Sequence, residues 1–294
     1  MKKLAPFLIL IAGLLWGSMG LFVRRLNGAG FGSMEIVALR ALVTAVVLFL
    51  FLIIYDRKLL KIRIRDIWCF LGTGICSIVF FNYCYFKAMT MISLSAAAVL
   101  LYTAPAMVMV MSWFLFHEKL TKRKLFALLF TFLGCILVTG FIGGGSQNGG
   151  AAAQLSPMGI LTGLGAGFGY ALYSIFSRFA IKRGYASITI SFYTFLIAFL
   201  GALPLTGGSF LQKAGGMSGS MIGFAVIFGV VSTVIPYLTY TLGLAFVENS
   251  KASIIASVEP VAATLLGVLV FHEPMSAGGT LGMLMILASI ALCS

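Results

Sequence analysis

The stretch "WFLFHEKLTKRK", Trp113 to Lys124, returns as "VLVFHEPMSAGG", Val268 to Gly279. Each copy runs from an apolar segment through Phe-His-Glu into polar residues, the pattern of a helix leaving a membrane and turning into the next. The charge that follows differs. The first copy continues with Lys119, Lys122, Arg123 and Lys124, whereas the second continues with Pro274 and carries no basic residue. Short loops rich in Lys and Arg stay on the cytoplasmic side, so the two copies are expected on opposite faces.

Alignment extends the echo into a repeat. A shift of 155 residues pairs Tyr85 with Tyr240, Ser95 with Ser250, Ala97 with Ala252 and Pro105 with Pro260. A shift of 154 pairs Trp16 with Tyr170, Phe22 with Phe176 and Arg24 with Arg178.

Composition sets the solvent. The 294 residues are 61% hydrophobic and 9% charged, more apolar surface than a soluble domain of this size can hide. Uncharged runs such as Leu4 to Val23 and Ala88 to Phe116 reach the roughly 20 residues of a helical span. The hydrophobicity is continuous, which argues against a β-barrel. The N-terminus resembles a signal peptide but lacks a small-x-small cleavage site, so it reads as a retained first span.

The fold expected is an all-α polytopic membrane protein of ten transmembrane helices, arranged as two inverted five-helix repeats. The spans fall near 5–24, 34–55, 67–86, 93–116, 123–142, 157–179, 187–205, 219–242, 250–271 and 277–293. Thr121 and Ser276 stand where N-caps of the fifth and tenth are needed. Residues 1–142 form the first repeat, the Gly-rich 143–156 a flexible linker, and 157–294 the second repeat. An odd number of spans per repeat forces the second to enter the membrane in the opposite direction.

Of the 20 basic residues, four (Arg24, Arg25, Lys87 and Lys213) fall in outer segments when the N-terminus is placed inside, Arg40 lies within a span, and the other 15 are inner. Both termini are therefore expected in the cytoplasm, with the chain in the cell (inner) membrane. The net charge of +13 is accounted for by these loops and the anionic headgroups they meet, and no nucleic-acid partner is implied. The five cysteines lie in or beside apolar spans without metal-type spacing and read as small hydrophobes.

These residues resemble the drug/metabolite transporter superfamily in its ten-helix EamA-like exporter branch. The likeness is carried by "LLWGSMGLFVRR", by Arg40 in "EIVALRAL" and by "PAMVMVMSWFLFHEKLT". The second half answers with "GYALYSIFSRFA" and "SVEPVAATLLGVLVFHEPMS". The resemblance implies a basket of ten helices around a cavity lined by spans 1, 3, 4, 6, 8 and 9, and export of small metabolites. One departure stands out: the residue before the turn glutamate is usually small in that family, often glycine, and here it is His117 and His272.

Glu259 leads the candidate binding residues. It sits midway along the ninth span, where a charge costs about 2.5–3.5 kcal/mol on the insertion scale, so it should face a cavity or a partner. It could meet a substrate ammonium or carry a proton, or it could pair with Arg40. Pro105, Pro260 and Pro236 are expected to kink their helices at the cavity. Asn82, Tyr83, Trp16, Tyr102, Tyr170, Tyr173, Tyr237 and Tyr240 offer rings with polar tips, suited to an amphipathic or cationic solute. Gly13 with Gly17, and Gly163 with Gly167, make faces for close helix approach.

The function expected is a secondary transporter, an exporter of a small organic metabolite such as an amino acid or amine, working by alternating access. No Walker or dinucleotide motif is present and no cofactor or metal is implied, so the energy must come from a gradient, with protons as the candidate coupling ion. A monomer is the favoured state. Two alternatives stand beside this reading: an intramembrane enzyme using the His-Glu pairs, and a channel or scaffold. The enzyme reading must contend with pairs separated by the hydrocarbon thickness of about 30 Å, and a channel would need a charged ring or filter.

Overall fold

A computed structural model of the chain describes residues 3–141, 156–272 and 274–293. The expected linker lies outside the described residues up to Ser156. All the regular structure described is helical. The elements in order are α1 Ala5–Gly28, α2 Ser33–Tyr55, α3 Ile64–Met89, α4 Leu94–Phe116, α5 Lys122–Val138, α6 Pro157–Lys182, α7 Ser187–Thr206, α8 Gly219–Leu244, α9 Asn249–Val270 and α10 Ala277–Cys293. Eight of these are long and apolar enough to cross a membrane. The other two, α5 and α10, have 17 residues each, which at 1.5 Å per residue rise about 25 Å, less than a full hydrocarbon core. Large apolar side chains cover the outside, with Phe114 72% and Leu269 71% exposed, as a lipid-facing surface requires.

Helix starts follow the sequence signals. Thr121 Oγ1 accepts from the Lys124 amide at 3.3 Å, and Ser276 Oγ accepts from the Gly279 amide at 2.9 Å. The helix ends at Phe-His-Glu are also alike. His117 and His272 both adopt the left-handed conformation, with φ of 55° and 54°, a geometry that glycine takes at no steric cost. The two histidines therefore occupy equivalent helix-terminating turns.

Two of the three prolines, Pro105 and Pro260, stand at breaks in their helices. α4 is interrupted at Tyr102 and Thr103, and Pro105 falls in the first turn of the half-helix Ala104–Phe116. α9 is interrupted at Ser257 and Val258, and Glu259 and Pro260 open the half-helix Glu259–Phe271. Pro236 lies inside α8, where the helix continues without interruption from the π-helical turn Val230–Val234 into Ile235–Leu244. A proline in a first turn lacks an amide hydrogen that would have had no intrahelical acceptor, so the breaks in α4 and α9 accommodate Pro105 and Pro260. A second π-helical stretch, Gly72–Val79 in α3, covers the positions 155 residues earlier.

Helices of one repeat pack into the breaks of the other. A Cβ added to Gly17 would come within 2.8 Å of the Glu259 carbonyl oxygen, and one at Gly13 within 2.7 Å of the Ala256 oxygen. Across the pseudo-symmetry, a Cβ at Gly167 would come within 2.8 Å of Thr103 Oγ1 and 2.9 Å of the Leu100 oxygen. The glycine faces thus bring α1 onto the α9 break and α6 onto the α4 break. α5 and α10 pair through Gly134 and Gly282, each standing where the other's Cβ would be, and through Thr131 Oγ1 donating to Ser289 Oγ at 2.7 Å.

Polar contacts sort the loops into two groups. Glu118, after α4, is buried and accepts from the Asn249 amide at 2.8 Å, the Ser250 amide at 3.1 Å and Ser250 Oγ at 2.5 Å. It caps the N-terminus of α9 in the other repeat. Lys124 pairs with Glu248 at 2.7 Å beside it, and Arg183 pairs with Asp66 at 2.9 Å. In the other group Glu35, at the start of α2, pairs with Lys213 at 2.7 Å and accepts from Ser209 Oγ at 2.6 Å. The end of α4 therefore meets the start of α9, as oppositely inserted repeats demand.

Candidate functional site

Near the middle of α1, α3, α6 and α8 the interior is filled by aromatic rings. Trp16 is 6% exposed and stands edge-on to Tyr237, with centroids 5.0 Å apart, and beside Tyr240 at 5.3 Å and Tyr170 at 6.3 Å. Tyr173 meets Tyr237 at 4.9 Å. Edge-to-face contacts of this kind hold rings in fixed orientations.

The hydroxyls are anchored from the side. Tyr173 Oη and Thr241 Oγ1 share a hydrogen bond of 2.8 Å, and Ser174 Oγ and Tyr240 Oη one of 2.7 Å. These residues, with Ser77, Ile78 and Phe81 of α3, enclose a void of about 10 Å³, room for about one water. Trp16 Nε1 and Ser77 Oγ line it without a hydrogen-bond partner.

Glu259 borders this cluster from α9. It is half-buried, and Tyr170 Oη donates to its Oε2 at 3.2 Å. As the first residue of a half-helix it also sits at the positive end of the helix dipole, which favours a carboxylate. The break is thus what allows a charge to stand this deep.

Arg40, on α2, is 2% exposed. Nη2 donates to Asn82 Oδ1 at 3.2 Å, Nη1 approaches Met19 Sδ at 3.2 Å, and Nε has no partner. Asn82 is fixed in turn, its Nδ2 donating to the Ile78 carbonyl at 2.7 Å, where the π-helical stretch of α3 closes. Among the described residues no ion pair joins Arg40 to Glu259. The direct pairing weighed from the sequence is not made. Two opposite charges instead flank the aromatic cluster, each lacking a carboxylate or cationic partner in contact.

The structure brings together Trp16, Tyr170, Tyr173, Tyr237, Tyr240 and Glu259, with Arg40 and Asn82 on the adjoining flank. Tyr83 stands apart, 48% exposed on the outside of α3. Tyr102, at the α4 break, turns toward α5 and borders a separate apolar pocket with Thr103, Leu125 and Phe132. Pro105 and Pro260 are buried at their half-helix starts, and Pro236 is buried within α8. Ser77, Phe81 and Ser174 line the void but were not singled out in the sequence, where nothing distinguishes them from packing residues. His117 and His272 lie at their helix ends rather than in this cluster, and the Glu118 carboxylate is taken up by the α9 cap.

Two pseudo-symmetric helical repeats closing on a polar aromatic centre define a multi-pass membrane protein of the transporter class. The chain belongs to the EamA-like transporter family, whose model matches twice, over residues 3–140 and 157–294. It is 28% identical over 291 residues to an uncharacterized transporter of Archaeoglobus fulgidus, covering 96% of this chain and 93% of that protein. It is also 28% identical over 297 residues to the uncharacterized transporter YxxF of Bacillus subtilis, covering 99% and 89%. A solved crystal structure superposes over 100% of this chain and 97% of its own with a TM-score of 0.82 at 19% identity, a likeness of fold. The membrane transporter expected from the sequence is thus the class to which the family assigns the chain.

Proposed function

We propose that the chain is a secondary transporter exporting a small organic metabolite that bears an ammonium group, such as an amino acid or an amine, by alternating access around Glu259. The observation that carries this reading is the Glu259 carboxylate, bound by the Tyr170 hydroxyl and bordered by aromatic rings. A carboxylate beside ring faces is the chemistry that receives an organic cation. Arg40, with Asn82 and the unpartnered Trp16 Nε1, supplies donors for a carboxylate on the same solute. A zwitterion would neutralise both flanks at once, which makes an amino acid the better fit of the two.

The void is far smaller than such a solute, so binding requires the aromatic cluster to open. Half-helices and π-helical turns are the places where these helices can flex. In this scheme α5 and α10 also cross the bilayer, giving ten spans in two inverted repeats, with both termini cytoplasmic, the inner membrane as location and a monomer as the working unit. Protons are the proposed coupling ion, taken up by Glu259 in exchange for the solute.

A thermal-shift screen of the purified protein against amino acids, amines, nucleosides and carboxylates tests the substrate class. A ligand at 100 times its dissociation constant adds about 2.7 kcal/mol of stability. Stabilisation by ammonium-bearing solutes supports the proposal. Stabilisation confined to carboxylates or nucleosides that lack an ammonium group contradicts it.

A further inference from the structure

The segment between α2 and α3 is the most basic in the chain, and the fold gives it a definite shape. Arg57–Leu60 is a short 3₁₀ turn, joined by extended residues to a second, Ile64–Asp66, that opens α3. The second repeat pins this loop. Thr189 Oγ1 donates to the Leu59 carbonyl at 2.8 Å and Tyr193 Oη to the Leu60 carbonyl at 2.6 Å. Tyr185 Oη accepts from the Arg63 amide at 3.0 Å and donates to Asp66 Oδ2 at 2.8 Å. A run of solvated orientation charges needs no such fixing.

Between the loop and the turn after α6 lies a concavity of about 260 Å³, rimmed by Lys58, Lys61, Arg63 and Arg183. No carboxylate lines it. Of the two acids that flank the loop, Asp66 is paired with Arg183 at 2.9 Å and Asp56 accepts from the Lys58 amide at 2.9 Å, and among the described residues Lys58, Lys61 and Arg63 make no ion pair. The Arg183 guanidinium also lies over the Trp68 ring at 4.8 Å, and Trp68 is 37% exposed. An indole half in the open at the end of a membrane helix marks the depth of lipid headgroups. The volume is roughly nine times the share of one water, enough for a phosphodiester with its first carbons but not for a drug-sized solute.

We infer that this pocket binds the phosphate headgroup of an anionic phospholipid, seated on Lys58, Lys61 and Arg63 with Arg183 at its edge. The site is separate from the aromatic centre and does not depend on what is transported. Because the loop belongs to the first repeat and its anchors to the second, a bound headgroup would hold the two repeats together at this face.

The test uses the full chain in detergent, supplemented with phosphatidylglycerol, phosphatidylcholine or inorganic phosphate, and read by native mass spectrometry and thermal stability. Retention of phosphatidylglycerol over phosphatidylcholine is expected, with a rise in unfolding temperature. The double variant Lys61→Gln/Arg63→Gln should weaken retention by about thirtyfold, given the worth of each basic residue near an anionic surface. Lys122→Gln/Arg123→Gln removes equal charge outside the pocket and should bind as the parent does. Equal retention of the two lipids overturns the inference, as does equal loss in both double variants. A full shift from inorganic phosphate alone assigns the site to a soluble anion and overturns the lipid. Should Lys61→Gln/Arg63→Gln fold poorly, Lys58→Gln alone gives the same reading.

Discussion

Glu259 and Arg40 fix the character of the interior, because Arg40 is buried and Glu259 half-buried and, among the described residues, neither is in contact with a counter-ion. Desolvation of such groups costs several kcal/mol apiece unless something compensates it. Among the described residues Tyr170 is the one side chain that hydrogen-bonds the Glu259 carboxylate, and hydrogen bonds to charged groups are worth about 1.5–3 kcal/mol. Tyr170→Phe should therefore weaken substrate affinity by about 10- to 100-fold in binding assays, whereas Tyr83→Phe should leave it unchanged. Sequence reasoning placed Tyr83 beside Asn82 in the same site. Neighbours on a helix diverge by about 100°, so when Asn82 turns inward to Arg40 its neighbour faces outward. Only packing decides which of the two goes in, and one sequence does not display packing. The twin histidines were legible as architecture because their setting repeats. Their left-handed backbone was not, since neither residue is glycine.

At the scale of the element, the interrupted helices place the site. The breaks put Glu259 at a helix start and expose backbone for the other repeat to pack on. Prolines signalled these points in the sequence, but the reading as interior kinks missed that Pro105 and Pro260 open half-helices. The glycine faces were legible because a GxxxG spacing has one physical use, close approach. Gly17→Ala sets a Cβ against the Glu259 carbonyl oxygen, and overpacking of this kind costs about 1–3 kcal/mol. A lower unfolding temperature is expected, while Gly20→Ala, with no atom within 4 Å of its added Cβ, should be silent. Glu118→Ala strips the α9 cap and leaves buried donors unsatisfied, a loss of about 1–3 kcal/mol. Thermal unfolding of that variant should show it, with Glu118→Gln less affected because one acceptor oxygen remains.

For the whole molecule, the inverted arrangement ties function to duplication. Cross-repeat contacts, α1 on α9 and α6 on α4, make two related halves share one centre, which the proposed alternating access would open to either side by rocking one half against the other. The bias of basic residues fixes a testable orientation. Lys61→Cys should react with an impermeant thiol reagent only after the membrane is opened, and Gly215→Cys should react in intact cells. The reverse pattern would invert the topology.

The most direct test of transport through Glu259 is exchange of a labelled amino acid in proteoliposomes holding the parent protein or Glu259→Gln, with and without a pH gradient. Alternating access with Glu259 as the shared proton and ammonium site requires saturable flux that a proton gradient drives in the parent. In Glu259→Gln that gradient response should vanish and the flux should fall at least tenfold. Gradient-driven flux in Glu259→Gln equal to the parent's at every pH would contradict the central role of this carboxylate.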